Sequence, residues 1–299
     1  MNFRKKIEKK RIILASPRGF CAGVKNAINT VENLLKTLQA PIYVKHEIVH
    51  NKHVVNDFKK RGVIFVEKIS SIPEGAHIVF SAHGVPKSVE DEAKAKNLII
   101  HDATCPIVKK IHKLADEYSK KNFTVILIGH KKHPEIIGTA GRISGNFIIV
   151  ENTSDAKKIK ARKDEKFICL TQTTLTPDET LGIYQILKKR LKEKLLPLKN
   201  NICYATKERQ DAVKRIAKKC DLFIVIGSKN SSNSRRLREV AENSGVKAIL
   251  IDDKTELKKN MLSNAQIIGV SSGASAPEYL VEVILKKLKK YGWEDVLKT

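Results

Sequence analysis

Three observations predict an α/β protein assembled from three similar α/β units. Apolar, β-branched runs alternate with segments of helical periodicity along the whole chain, the pattern that gives parallel sheets flanked by helices. Three cysteines, Cys21, Cys105 and Cys203, each stand just before an amphipathic helix, 84 and 98 residues apart. Each is followed by two polar strand ends. The first comes at His50, His133 and Ser231, 28 or 29 residues downstream, and the second at His83, Thr173 and Ser275, 62 to 72 residues downstream. In parallel sheets, ligands bind beyond the carboxyl ends of strands, so six such ends can serve a common ligand.

In the first third, Val24, Ala27, Ile28, Val31, Leu34 and Leu35 fall at helical spacing after Cys21, and Pro41 to Val44 begins an extended segment leading to His50. Asn51 suits the N-cap of a helix ending at Arg61, with Gly62 just beyond. Val63 to Val66 and His77 to Ser81 read as buried strands, the second ending in Ala82-His83-Gly84. In the second third, Leu98 to His101 leads to Cys105, and Val108, Ile111, His112 and Ala115 mark the helix face. Thr124 to Ile128 delivers Gly129 to Glu135, and the strands at 147–150 and 167–170 follow, the latter running into Thr171-Gln172-Thr173-Thr174. In the last third, Ala212, Val213, Ile216 and Ala217 form a helix face after Cys203. Leu222 to Ile226 then runs into Gly227 to Asn233, and Lys247 to Ile251 and Gln266 to Val270 complete the unit, ending at Ser271 to Ser275. Pro277 suits the first turn of a closing helix.

The chain has 299 residues, 41% of them hydrophobic, enough for two or three domains with full cores. Expected boundaries are a basic extension at 1–10 and α/β domains at 11–104, 105–199 and 200–292, with no appended domain after the last core helix. No apolar run approaches the ~18 residues of a membrane span, and the stretch after the basic N-terminus is too short for a signal peptide. A cytoplasmic protein is expected. With 57 Lys and Arg against 32 Asp and Glu, the net charge of +25 creates a field that attracts anions.

Five cysteines without a C-x-x-C pair point to free thiols or metal ligands rather than a disulfide framework. At a helix N-terminus the dipole and unpaired N–H groups favour the thiolate, which suits Cys21, Cys105 and Cys203 to metal ligation. Cys169, inside the strand Phe-Ile-Cys-Leu, and Cys220, at a helix end, read as packed thiols. Three soft ligands suit an iron–sulfur cluster or zinc, and three thiolates on a four-iron cube leave one iron open.

His46-Glu47-Ile48-Val49-His50 matches the zinc-protease pattern H-E-x-x-H, which requires a helix. The β-branched residues around it predict an extended segment, in which His46 and His50 would lie ~13 Å apart and share no metal.

Ser231, Ser232, Asn233 and Ser275 form a hydroxyl and amide cluster at helix starts, a ready site for phosphate. Neither G-x-G-x-x-G nor the P-loop pattern occurs. Glu135 is the one carboxylate on a polar tip, and among anion-binding groups it suits proton delivery.

Eight segments together resemble the 4-hydroxy-3-methylbut-2-enyl diphosphate reductase family: Pro-Arg-Gly-Phe-Cys-Ala-Gly-Val at 17–24, Ser-Ala-His-Gly-Val at 81–85, Asp-Ala-Thr-Cys-Pro at 102–106, His-Pro-Glu at 133–135, Thr-Gln-Thr-Thr-Leu at 171–175, Cys-Tyr-Ala-Thr at 203–206, Gly-Ser-Lys-Asn-Ser-Ser-Asn-Ser at 227–234 and Gly-Ala-Ser-Ala-Pro at 273–277. The resemblance spans about residues 11 to 290. It implies a trefoil of three α/β domains around a [4Fe–4S] cluster held by Cys21, Cys105 and Cys203, with residues 11–22 able to pack on the third domain. It further implies that His50, His83, His133, Ser231, Ser232, Asn233 and Ser275 hold the substrate diphosphate. Thr173, Thr174 and Glu135 would sit by the substrate hydroxyl, with Glu135 in the proton relay. The implied reaction is reductive dehydroxylation to isopentenyl and dimethylallyl diphosphates, with electrons from a ferredoxin or flavodoxin.

Two other readings fit less well. Quinolinate synthase is also a three-cysteine, threefold iron–sulfur protein, but a dicarboxylate-derived substrate does not call for the hydroxyl-rich tips or His-Pro-Glu. Nucleic-acid binding would account for the charge, yet the single tryptophan, Trp293, and 5% aromatic content supply no stacking platform, and no nucleic-acid partner is expected.

Overall fold

The computed structural model describes residues 10–38, 41–198 and 201–298. The basic extension expected at 1–10 thus lies outside the described residues apart from Lys10. By its contacts the chain forms two compact units, an internal one of residues 22–203 and a terminal one that joins residues 1–21 to residues 204–299.

The chain opens with β1 (Arg11–Leu14) and then enters the internal unit with α1 (Ala22–Thr37), β2 (Ile42–Lys45), α2 (Lys52–Lys60), β3 (Val63–Val66), β4 (His77–Phe80), α3 (Lys87–Ala95) and β5 (Ile99–Asp102). A four-stranded parallel sheet results, in the order β3-β2-β4-β5. Helix α1 lays Ala27, Val31 and Leu34 against Val44 and Val79 of this sheet, so the apolar spacing of the sequence is a packing face. Asn51 caps α2 by accepting from the N–H groups of His53 and Val54, an interaction of about 1 kcal/mol.

The second sheet follows from α4 (Pro106–Lys120), β6 (Phe123–Ile128), α5 (Pro134–Ala140), β7 (Phe147–Val150), α6 (Thr153–Lys158), β8 (Lys166–Thr171) and α7 (Pro177–Leu191). Its order is β7-β6-β8, again parallel. Helix α4 buries Val108, Ile111, His112 and Ala115 as expected, and Pro106 occupies its first turn, where no N–H is needed.

The terminal unit contains α8 (Tyr204–Ala217), β9 (Leu222–Ile226), α9 (Ser232–Asn243), β10 (Lys247–Ile251), β11 (Ile267–Ser272), α10 (Glu278–Lys290) and β12 (Asp295–Lys298). Its five-stranded parallel sheet runs β10-β9-β11-β1-β12. Both faces of this sheet are covered, so β9 is buried throughout and reads as an unbroken apolar run. Leu222, Ile224 and Ile226 pack on one face with Ile12 and Leu14; Phe223 and Val225 pack on the other with Ile13.

Three details differ from expectation. β12, which pairs with β1, is too short and charged to announce itself in Glu294 to Lys298. Pro277 is the N-cap of α10 rather than a residue of its first turn. The segment after β2 is not extended: the chain turns at His46, whose φ of 59° lies in the left-handed region. That turn is fixed from outside the segment, because His46 N–H donates to the Val66 carbonyl at the end of β3. β-propensity was outweighed by this tertiary bond.

Candidate active site

Parallel topology carries the polar segments to the carboxyl ends of strands. In the internal unit β2 leads to His50, β4 to His83, β6 to His133 and β8 to Thr173. The three imidazoles meet. His50 stacks on His83 with ring centroids 4.0 Å apart and planes 25° apart. His133 stands edge-on to both, at 5.6 and 6.0 Å. Desolvation, and then the neighbouring His50, His133 and His46 rings, hold His83 well below the ordinary imidazole value. Without an anion to offset that repulsion, His83 is neutral at pH 7.

Two neighbours set the tautomers of this trio. His133 is the N-cap of α5, and its Nδ1 accepts from the Glu135 N–H at 3.2 Å. Its proton therefore sits on Nε2, directed away from the helix as a donor. His50 Nδ1 lies 3.0 Å from Glu47 Oε2, which leaves Nε2 as its outer nitrogen.

Glu135, in the first turn of α5, is 3% exposed and is held from two sides by one residue. Thr173 N–H donates to Oε1 and Thr173 Oγ1–H donates to Oε2, both at 2.7 Å. Burial raises the carboxyl to about 7, against the lowering effect of those two hydrogen bonds. Thr174 is bound next to it: Gln172 Nε2 donates to Thr174 Oγ1 at 2.8 Å, while Gln172 Oε1 accepts from His130 N–H. Gln172, which sequence reasoning did not single out, thus ties the ends of β6 and β8 together.

The terminal unit places a different set of groups at its strand ends. Ser231 caps α9, its Oγ accepting from Ser234 N–H, and Ser232 and Asn233 lie buried in the first turn. Ser275 follows β11 and is likewise buried. Among the described residues neither side-chain atom of Asn233 has a hydrogen-bond partner, although both are buried. A buried amide left in that state costs about 1–3 kcal/mol, which a bound polar ligand would recover. The Ser234 side chain fits between Gly227 and Gly273, where a Cβ on either would collide with it, so the strand ends approach α9 closely.

The cysteines repeat one backbone contact. Cys105 N–H donates to the Ala82 carbonyl and Cys203 N–H to the Thr173 carbonyl, both at 3.0 Å, within the internal unit; Cys21 N–H donates to the Ala274 carbonyl at 3.2 Å, within the terminal one. Each is thereby fixed beside a second polar strand end. All three are partly exposed and stand at the starts of α1, α4 and α8. Burial pushes the thiols of Cys169 and Cys220 up to about 12, which leaves them protonated packing groups.

The Cys21 loop is held by an arginine that sequence reasoning missed. Arg209 of α8, 4% exposed, donates through Nε and Nη2 to the Gly19 carbonyl at 3.3 and 2.8 Å and through Nη1 to the Ala205 carbonyl at 2.7 Å. Gly19 N–H in turn donates to Ser272 Oγ at 2.9 Å.

The chemistry of the donor set fits an iron–sulfur group: three accessible thiols at helix starts, none of them in a disulfide. The backbone also approaches one sulfur closely, at a glycine. A Cβ on Gly23 would lie 2.7 Å from Cys105 Sγ.

A sequence model of the LytB protein family matches residues 12–289. The chain belongs to the LytB family. A 4-hydroxy-3-methylbut-2-enyl diphosphate reductase from Histophilus somni (strain 2336) is 50% identical over 289 residues, covering 96% of this chain and 92% of the relative. One from Escherichia coli O1:K1 is 46% identical, with 94% and 90% covered. Among solved structures, the E-1-hydroxy-2-methyl-but-2-enyl-4-diphosphate reductase from Plasmodium falciparum superposes with a TM-score of 0.93 at 39% identity, covering 97% of this LytB chain and 92% of that one. A second reductase structure, described as the terminal enzyme of the non-mevalonate pathway, gives a TM-score of 0.67 at 33% identity, with 94% and 99% covered.

Proposed function

We propose that the chain reduces 4-hydroxy-3-methylbut-2-enyl diphosphate to isopentenyl and dimethylallyl diphosphates, with a [4Fe–4S] cluster held by Cys21, Cys105 and Cys203. The reading rests on the family and its named reductases. Within the molecule, the observation that carries it is Glu135, a buried carboxyl at about 7 bonded twice to Thr173 two residues beyond His133. Loss of the hydroxyl as water consumes two electrons and two protons, so such an enzyme needs a proton source at neutral pH.

When bound, the cluster supplies single electrons and an iron open to a fourth ligand. His50, His83 and His133 donate to the diphosphate, and the charge they gather there raises His83 toward protonation. Ser231, Ser232, Asn233 and Ser275 donate from the first turn of α9 and the end of β11, without titrating. Together these contacts orient the alcohol at fixed range and exclude water from it. With Glu135 protonated that bond reverses: the Glu135 O–H donates to Thr173 Oγ1, 2.7 Å away, and passes its proton there as the Thr173 proton moves to the departing hydroxyl, with Thr174 beside it. On this reading the chain has three domains, at about 11–104, 105–199 and 200–292, with the N-terminal strand β1 of the first packed in the sheet of the third.

The expected electron donor is an acidic ferredoxin or flavodoxin attracted by the +25 chain, in the cytoplasm. Among the described residues no helix is long and apolar enough to cross a membrane. A rate with such a donor that stayed constant as salt rose would remove electrostatic docking.

The deciding experiment is an anaerobic absorption spectrum and iron count of the purified protein, repeated with each of Cys21, Cys105 and Cys203 changed to Ser, followed by turnover with the allylic alcohol diphosphate. Four irons per chain, lost or reduced in each variant, together with both isomeric products, are expected. An iron-free protein after anaerobic reconstitution, or iron unaffected by all three changes, would refute the reading.

A further inference from the structure

The turn that sequence reasoning took for an extended segment brings His46 and Glu47, which the proposed reaction does not use, beside His50. We propose that His46, Glu47 and His50 form a three-ligand site for a borderline divalent transition metal of the zinc class. One ligand atom from each lies within 4.8 Å of the other two. His50 Nδ1 and Glu47 Oε2 are 3.0 Å apart, close to the ~3.3 Å between two ligands on one tetrahedral zinc with bonds of about 2.0 Å. The His46 and His50 rings are already edge to face, with centroids 5.9 Å apart.

The surroundings complete the arrangement. His46 Nδ1 is 2.8 Å from Glu67 Oε1, so that carboxylate accepts the Nδ1–H hydrogen bond and leaves Nε2 for a metal, as an outer carboxylate does for a zinc-bound histidine. Backbone geometry fixes the turn: the φ of His46 lies in the left-handed region, and its N–H donates to the Val66 carbonyl. Solvent reaches the ligands, whose side chains are 32%, 30% and 10% exposed for His46, Glu47 and His50. With Lys45 Nζ 3.7 Å from Glu67, the neighbourhood offers little net negative charge to a hard cation such as magnesium. Two imidazoles and one carboxylate instead select zinc, cobalt or nickel, and leave one position open.

The test uses the full-length, cluster-loaded protein, so that the cysteines are occupied. Zinc titrated against a chromophoric chelator should show one site per chain beyond the cluster iron. Removing the outer carboxylate in Glu67→Gln should weaken it ~10–100-fold, and removing a ligand in His46→Asn, a residue that accepts the left-handed backbone, should weaken it by at least about as much. Cobalt bound in place of zinc should give a K-edge spectrum with nitrogen and oxygen neighbours alone. Sulfur around the cobalt, binding undiminished in His46→Asn, or no stoichiometric binding would each overturn the site.

Discussion

The internal and terminal units put different donors at equivalent places. At the carboxyl ends of β2, β4 and β6 stand three imidazoles within 6.0 Å of each other, backed by a buried carboxyl at about 7. At the ends of β9 and β11 stand serine hydroxyls and the Asn233 amide, arranged around the start of α9. Both sets suit an anion, but only the first can exchange protons with it. The terminal set presents fixed dipoles that need no reorganisation when charge arrives. On the proposed reading, a reaction that binds a diphosphate and consumes protons would draw on both kinds.

The hardest way to break this contrast is at Glu135. Glu135→Gln keeps an acceptor for Thr173 N–H but has no proton to give, so turnover should fall about 10²- to 10⁴-fold. In the unaltered protein the rate should decline as pH rises through about 7, because the acid form of Glu135 is the donor. That limb should vanish in the variant. A near-normal rate with an unchanged pH profile would take Glu135 out of the mechanism.

The same substitution should have the opposite effect on stability. A carboxyl raised from its ordinary 4.5 to about 7 binds its proton more tightly in the folded state, so stability is greatest in acid and is lost as pH rises from about 4.5 to above 7. The full cost at pH 8 is about 3 kcal/mol, so urea unfolding of Glu135→Gln should show it to be more stable there, by an amount that shrinks below ~1 kcal/mol near pH 5. Equal unfolding midpoints at pH 8 would mean that the site ionises Glu135 without strain.

On the terminal side the corresponding change is structural. Arg209→Gln removes donors from the Gly19 carbonyl and should cost about 2 kcal/mol of stability. The loop it loosens carries Cys21, so iron retention should fall as well, more than in a variant such as Lys218→Gln at an exposed position near the end of α8. Full iron retention in Arg209→Gln would show that Cys21 is positioned by its own bond to Ala274 alone.

Much of this was legible in the chain. Apolar runs ending in polar residues mark strand ends, and that pattern placed Thr173 two residues past β8, His83 and Ser275 three past β4 and β11, and His50, His133 and Ser231 five past β2, β6 and β9. The spacing of Val108, Ile111, His112 and Ala115 gave the buried face of α4. What escaped was fixed by distant partners. Arg209 meets Gly19 across 190 residues, and nothing near Arg209 signals it. The His46 turn depends on Val66, so local β-propensity pointed the wrong way. β12 exists because β1 offers it an edge. Local pattern thus sets which elements form, while the supports of the functional loops are tertiary.

The smallest effect expected is also the most direct test of the contrast. Binding of inorganic diphosphate should raise His83 from its depressed value and take up part of a proton at pH 7, so affinity should increase as pH falls, by no more than about tenfold per unit. Calorimetry in two buffers of different ionisation enthalpy reads that uptake. Diphosphate titrates too, but its contribution is common to all variants and cancels on comparison. His83→Asn should lower the uptake, whereas Asn233→Ala should weaken binding and leave the uptake as it was, because an amide carries no proton to exchange. If Asn233→Ala changed proton uptake as much as His83→Asn, the fixed and titrating donors would not be separate in function.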